Sequence, residues 1–286
     1  MAEARFFEGG LIMPSVLVTG AGRGIGLAIT EHMSGHGWDV YATARSEAAL
    51  DSLDRMPDVH AIPLDITDRS AIAALPDWLP AKLNGVVNNA GIIVNGPVEG
   101  LSLDDLTQQL DVNVISQIAV TQAVLPKIRN ARGRVVFMSS VSGLFTTPGT
   151  GAYNASKYAI ESLADALRME LRPWRIPVSL IEPGPIRTDM WGGALDDYDL
   201  MTKQLSDEHR RLYASHLAGS RKLMGRLQKL AADPKRVTKA VDHALTSRRP
   251  KRRYLLDIVS RAQKTVVAIT PTAVNDAVLA AATTSK

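Results

Sequence analysis

With 286 residues, 45% of them hydrophobic and a net charge of +4, the chain has enough apolar material for a sizeable core, which excludes a disordered chain. It contains no cysteine, which excludes disulfides and cysteine-ligated metals. No apolar run is long enough to span a bilayer and no signal-peptide pattern opens the chain, so the expectation is a soluble, cytoplasmic protein.

A second methionine, Met13, precedes the first apolar run, and residues 1–13 read as a flexible extension. Seven short apolar runs then follow: SVLVTG (15–20), DVYATAR (39–45), HAIPLDI (60–66), GVVNNA (85–90), RVVFMSS (134–140), VSLIEP (178–183) and RYLLD (253–257). Each is nearly continuous in apolar character, as expected of strands buried on both faces. Helical patterns lie between them, so the prediction is an α/β domain: a doubly wound parallel seven-stranded sheet with helices on both faces, over 14–260. From Ile186 to Thr246 the pattern is helical with no strand, and this span reads as a substrate lid inserted between strands six and seven. Residues 261–286 read as a C-terminal helical tail.

The first strand runs into VLVTGAGRGIG, with Gly20, Gly24 and Gly26 at the strand-to-helix turn. Glycine there permits the tight turn and the close approach of a pyrophosphate, and the N–H groups and dipole of the following helix favour an anion. Placed after a strand and before a helix, the pattern predicts a dinucleotide site. An acid at the end of the second strand would bind the ribose hydroxyl of NAD. That place holds Ala44 and Arg45, so no carboxylate opposes a 2′-phosphate, and Arg45 with Arg23 would close on one. NADP(H) is therefore expected over NAD(H). Asp65 ends the third run, where it would meet an adenine amine or, with Thr67 and Asp68, cap a helix. Asn88 to Gly91, NNAG, ends the fourth, at the carboxyl edge where such sheets bind ligands.

Tyr153 and Lys157 stand one helical turn apart in YNASK. A free phenol titrates near 10, and a neighbouring cation would lower that by about 1–3 units, easing proton transfer.

TGAGRGIG, NNAG and YNASK, in this order and at these separations, resemble the short-chain dehydrogenase/reductase superfamily in its compact single-domain form, over roughly 14–190 and more loosely at the last strand. The resemblance implies a Rossmann-type fold and an oxidoreductase that interconverts a carbonyl and an alcohol. It implies a catalytic set of Ser140, Tyr153, Lys157 and Asn113, with Ser139 as the neighbouring register. Tyr153 would exchange the proton, Ser140 hold the substrate oxygen, Lys157 hold the nicotinamide ribose, and Asn113 link Lys157 to a water chain. Asn113 lies within a helical pattern where Asn is a poor helix former, which predicts a local distortion. The cofactor set is then Gly20, Arg23, Gly24, Ile25 and Gly26 on the first turn; Arg45, Asp65 and Ile66 after the second and third strands; Asn89, Ala90 and Gly91 after the fourth; Tyr153 and Lys157; and Pro183, Gly184, Ile186 and Thr188 after the sixth. Asp189 would cap the following helix instead.

Other groups have plainer readings. His32 and His36, four apart, lack further ligands, so no metal is expected. Asp196, Asp197 and Asp199 suit the acidic start of a lid helix. Met190, Trp191, Leu195, Met201, Leu223 and Met224 suit either an adaptable lipophilic pocket or ordinary helix core. The run RRPKRR, 248–253, reads as a solvated loop or a dock for an anionic carrier, and nucleic acid is not expected. GPVEGLSLDDL, YAIESLADALRMEL and RRPKRRYLL resemble the hydroxysteroid and retinol dehydrogenase branch, which implies a small hydrophobic carbonyl or alcohol substrate. The alternatives are a 3-oxoacyl-(acyl carrier protein) reductase and a non-catalytic NADPH-binding sensor or scaffold. The resemblance also implies a homodimer or homotetramer built on helices at 102–130 and 152–171.

Overall fold

The computed structural model describes residues 13–188, 193–256 and 269–284. Asp189, Met190, Trp191 and nearly all of the expected N-terminal extension lie outside the described residues.

The apolar runs form β1 (Ser15–Val18), β2 (Asp39–Ala44), β3 (Val59–Pro63), β4 (Gly85–Asn88), β5 (Arg134–Met138), β6 (Val178–Glu182) and β7 (Arg253–Leu255). They pair in parallel throughout, in the order β3-β2-β1-β4-β5-β6-β7. The order reverses between β1 and β4, which leaves a crevice at their carboxyl ends. One core, with Val16, Ile29, Val40, Val136 and Val241, fills one face of this Rossmann-like sheet. A second, with Leu17, Val86, Ile128, Phe137 and Ile160, fills the other.

The connecting helices are α1 (Gly24–Ser34), α2 (Glu47–Asp54), α3 (Arg69–Ala74), α4 (Leu103–Leu110), α5 (Ser116–Ala131) and α6 (Gly151–Glu170). Ser46, Asp68 and Ser102 start α2, α3 and α4 by accepting N–H bonds from the first turn. Between α4 and α5 the helix widens into a π turn, Asp111–Ile115, centred on Asn113. The expected distortion is there, and Asn113 is fully buried within it.

The helices between β6 and β7 are α7 (Ala194–Gln204), α8 (Asp207–Leu212), α9 (Ala214–Lys229) and α10 (Lys235–Thr246). The span read as one helical lid divides here. Tyr198, Leu205 and Leu217 give α7 to α9 a small core of their own. α10 instead lays Val237, Val241, Ala244 and Leu245 into the sheet core, so close that a Cβ on Gly85 would lie 2.6 Å from Leu245. It is the crossover helix that a parallel β6–β7 pair requires. The C-terminal helix α11 (Thr272–Thr283) docks on α9, where a Cβ on Gly219 would meet the Thr283 carbonyl oxygen at 2.2 Å.

Candidate active site

The glycine turn sits against the end of β4. Gly20 and Gly24 adopt φ of +65° and +60°, which only glycine takes without strain. A Cβ on Gly26 would lie 2.2 Å from the Gly20 carbonyl oxygen and 2.5 Å from Asn89 Nδ2. Asn89 Nδ2 donates to the carbonyls of Thr19 (3.0 Å) and Gly20 (3.2 Å), and the Thr19 hydroxyl accepts from the N–H groups of Asn89 and Ala90. The turn and the NNAG loop are thus one unit. No side chain caps the first turn of α1, whose N-cap is Arg23. Its N–H donors face the crevice with the positive end of the dipole, a fit for a pyrophosphate. We expect Gly26→Ala to cost about 3 kcal/mol or more and to abolish dinucleotide binding, because the clash is with backbone. Thermal melts and cofactor titration check this; a variant with unchanged melting and binding would contradict it.

Thr188, from the segment after β6, closes the opposite side: a Cβ on Gly24 would lie 3.5 Å from its Cβ. Ile186 is buried in the sheet core, and the Pro185 carbonyl and Arg187 N–H bond Ala232 on both sides of it. Pro183 lends its carbonyl to the Val141 N–H and the Ser140 hydroxyl. Arg45 and Arg23 are exposed, and Arg45 faces Asp65 at 3.9 Å. Asp65 lies two residues beyond β3 rather than on it, and its Oδ1 turns back onto the N–H and hydroxyl of Thr67, which hold its carboxyl below the usual range. Asp68, not Asp65, caps α3.

The catalytic candidates meet at the next strand end. Ser140 follows β5 and accepts from the Ser142 N–H at 3.1 Å, and it stands near enough to the Tyr153 phenol to influence its titration. Ser139 points its hydroxyl into the interior with no hydrogen-bond partner among the described residues. Lys157 Nζ sits 5.5 Å from the centre of the Tyr153 ring and donates to the Met138 carbonyl at 2.8 Å. The expected lowering of the phenol by Lys157 is corrected. Burial raises the Tyr153 phenol above its ordinary value, and the opposing influence is the Ser140 hydrogen bond. Burial also pushes the Lys157 ammonium down to about 8, against the attraction of Glu161.

Asn113 spends its side chain elsewhere. Oδ1 accepts from the Ile92 N–H (2.8 Å); Nδ2 donates to the Ile92 carbonyl (3.0 Å) and the Ser156 hydroxyl (3.1 Å). Sequence reasoning passed over its companions. Gln109 bonds Ile92 and Val94, and Gln117 bonds the Ala90 carbonyl. Gln109, Asn113 and Gln117 recur every fourth residue, a polar stripe on a buried helix face that marks them as a brace for the loop after β4. Asn154, beside Tyr153, braces the facing loop through the carbonyls of Ser142 and Phe145.

A family model described as short chain dehydrogenase matches residues 14–199. The chain belongs to this family. Among curated short-chain dehydrogenase relatives and other oxidoreductases it is similar to retinol dehydrogenase 16 of Rattus norvegicus, 34% identical over 254 residues covering 84% of this chain and 79% of that protein. It is also similar to the uncharacterized oxidoreductase YbbO of Escherichia coli K12, 34% identical over 276 residues covering 95% and 96%. A crystal structure of a short-chain dehydrogenase from Streptomyces avermitilis superposes with a TM-score of 0.73 at 27% identity, covering 90% of this chain and 93% of that one. A short-chain dehydrogenase is an NAD(P)-dependent oxidoreductase, and the crevice between β1 and β4 suits that cofactor class.

The remaining candidates fall away from the crevice. His32 and His36 stack at 4.0 Å, and no group of three or more potential ligands for a metal exists among the described residues. Asp196 and Asp197 lie in the first turn of α7, and Asp199 pairs with Arg221 of α9. Of the basic run, Arg248, Arg249, Lys251 and Arg252 are exposed, but Arg253 is drawn inward onto Glu161, Asp165 and Glu182. No described helix is long and apolar enough to cross a membrane.

Proposed function

We propose that the protein reduces a carbonyl on a lipophilic substrate with NADPH, and catalyses the reverse oxidation, with Ser140, Tyr153, Lys157 and Asn113 as its catalytic set. The observation that carries this is the convergence of Ser140, Tyr153 and Lys157 beside an uncapped helix N-terminus. A bound nicotinamide dinucleotide supplies the hydride. Tyr153 is held protonated by burial and donates to the substrate oxygen, so it acts as general acid in reduction. Ser140, fixed by the Ser142 N–H, orients that oxygen. Lys157 holds the nicotinamide ribose and lends positive charge. Both donors of the Asn113 amide are engaged, by the Ile92 carbonyl and the Ser156 hydroxyl, and its part is to link Lys157 to a water chain. On this reading the backbone of Pro183, Gly184 and Ile186 and the Thr188 hydroxyl would meet the nicotinamide, and Gly91, Ala90, Ile25, Asp65 and Ile66 would complete the cofactor contacts.

The lipophilic reading is supported by a cavity of about 180 Å³ between the lid and the loops after β4 and β5, walled by Pro97, Val98, Pro148, Tyr198, Tyr213 and Leu217. Both tyrosine hydroxyls are turned away, to the Leu217 carbonyl and Glu99, so the wall to which they contribute is apolar. The retinol dehydrogenase name of one relative agrees in substrate class. A screen of aliphatic and cyclic ketones and aldehydes, read as NADPH consumption, tests the reading; turnover confined to small hydrophilic carbonyls would sink it.

For the cofactor, Arg45→Ala is expected to weaken NADPH about 10–100-fold, the worth of a charge-assisted hydrogen bond, and to leave NADH unchanged. Fluorescence titration of both cofactors decides it, and tighter NADH in the wild type would reverse the assignment. We further propose a cytoplasmic homo-oligomer, since Ile115 at the end of the π turn and Tyr158 and Leu163 of α6 are exposed apolar side chains. Light scattering should give two or four times the 30.9 kDa chain mass, and a monomer would refute this.

A further inference from the structure

All seven strands run the same way, so the loops that enter them gather on one rim of the sheet and the crevice opens on the other. The entry rim of β4 to β7 is basic. Lys82 stands before β4, Arg132 before β5, Arg172 and Arg175 before β6, and the four exposed bases of the run 248–252 before β7. All eight are exposed, and none is in an ion pair with another described residue. The exposed acids of the same loops are Asp77 and Glu170. Hydrogen bonds tie the four entries into one surface. Asn130 Nδ2 donates to the Ala81 carbonyl (3.2 Å), the Arg134 N–H to the Asn84 carbonyl (3.0 Å), the Val135 N–H to the Pro177 carbonyl (3.0 Å), and the Leu180 N–H to the Arg252 carbonyl (2.9 Å).

Two details set this rim apart from ordinary solvated surface. Arg132 and Arg175 hold left-handed backbone, φ +49° and +56°, at the ends of α5 and of the turn Arg172–Trp174. Glycine suits such positions best, so the turns themselves do not ask for arginine. Of the described tryptophans, Trp38 is buried, whereas Trp78 and Trp174 are 57% and 48% exposed and both stand in loops of this rim. The Arg129 guanidinium lies 4.8 Å from the centre of the Trp174 ring.

We propose that this rim docks the enzyme peripherally on an anionic lipid bilayer. Clustered Lys and Arg are drawn to anionic headgroups, and an exposed Trp settles at headgroup depth, with its ring in an apolar layer and its N–H in water. An acidic carrier protein fits the charge but not the place. Docked here, it would hold its cargo a strand length, about 15 Å, and the loops away from the crevice. The tryptophans favour lipid over a polynucleotide, since they stand on separate loops two strands apart rather than along one stacking track. Docking through this rim leaves the crevice open to water.

Cosedimentation with vesicles tests this. The protein should pellet with vesicles of phosphatidylcholine and phosphatidylglycerol in equal parts, stay in solution with phosphatidylcholine alone, and be released by high salt. Arg132→Gly, Arg175→Gly, Lys251→Gln and Arg252→Gln together should weaken binding to the mixed vesicles on the order of a hundredfold. Because glycine fits both left-handed positions, the melting temperature should hold. Removing as many bases from the lid, by Arg211→Gln, Lys222→Gln, Arg226→Gln and Lys229→Gln, should change binding less than about threefold, which separates this rim from net charge. Brominated phosphatidylglycerol should quench tryptophan emission, and Trp78→Phe with Trp174→Phe should abolish the quenching. No pelleting with the mixed vesicles, an equal loss in the lid variant, or binding to a polynucleotide but not to the vesicles overturns the proposal. Should the rim variant not fold, the quenching decides: none in the wild type, or full quenching without Trp78 and Trp174, refutes it.

Discussion

Tyr153→Phe is expected to lower kcat by about 10²–10⁴-fold, the usual worth of a positioned general acid, while NADPH binding changes little. The change removes one oxygen from a side chain whose ring stays packed beside Lys157 Nζ. The loss should appear in kcat and kcat/KM together, since the proton is needed only in the transition state. The pH dependence carries a sign. Burial raises the phenol above its ordinary value, so the protonated form required for reduction persists through neutral pH. Reduction should therefore hold its rate up to mildly alkaline pH, and oxidation, which needs the phenolate, should rise as pH increases. A lysine that loses its proton from about 8 cuts across the same range, so the alkaline side reports both groups. Steady-state rates of the wild type and of Tyr153→Phe across pH decide this. A Tyr153→Phe enzyme within threefold of wild type would remove Tyr153 from the chemistry.

The sequence made the scaffold legible because its strands are buried on both faces. Runs such as SVLV and RVVFM have no polar alternation to confuse, and the glycines at 20, 24 and 26 punctuate the only turn that could follow β1. Asn113 was legible for the opposite reason: it violates helix propensity, and the π turn is what accommodates it. What could not be read were properties that depend on depth. The sign of the Tyr153 shift required knowing how deeply the phenol itself is buried. The division of the 186–246 span required knowing which apolar face meets the sheet. α10 has a sharper apolar stripe than the lid helices, and the packing of Val237, Val241, Ala244 and Leu245 into the sheet core, with Leu245 against Gly85 of β4, shows where that stripe goes. Gln109 and Gln117 carried a signal, the spacing of four shared with Asn113, that becomes meaningful once the face is known to be buried.

Arg253→Met should destabilise the protein by about 3–5 kcal/mol, the cost of breaking a buried ion pair and leaving its partners charged. Arg253 closes the basic run 248–253, where like charges in sequence suggest a solvated loop. The β6–β7 pairing overrides that by placing it opposite Leu180, with its guanidinium on Glu161, Asp165 and Glu182. Glu161 is only 7% exposed, so little water replaces the cation it loses. The penalty should depend on pH in a defined direction. Asp165 is held below the usual carboxylate range, first by its hydrogen bond to Arg253. Stability from such a group is present above its unfolded value, near 3.9, and is lost as pH falls through the lower folded value. The gap between wild type and Arg253→Met should accordingly be steady at neutral pH and narrow below about pH 4, where the carboxylates take up protons. Urea denaturation at both pH values measures it. Adding Glu161→Gln to Arg253→Met should recover part of the loss, because a neutral partner no longer needs a cation. If the double variant is no more stable than the single one, the arginine is held there for its packing rather than for its charge.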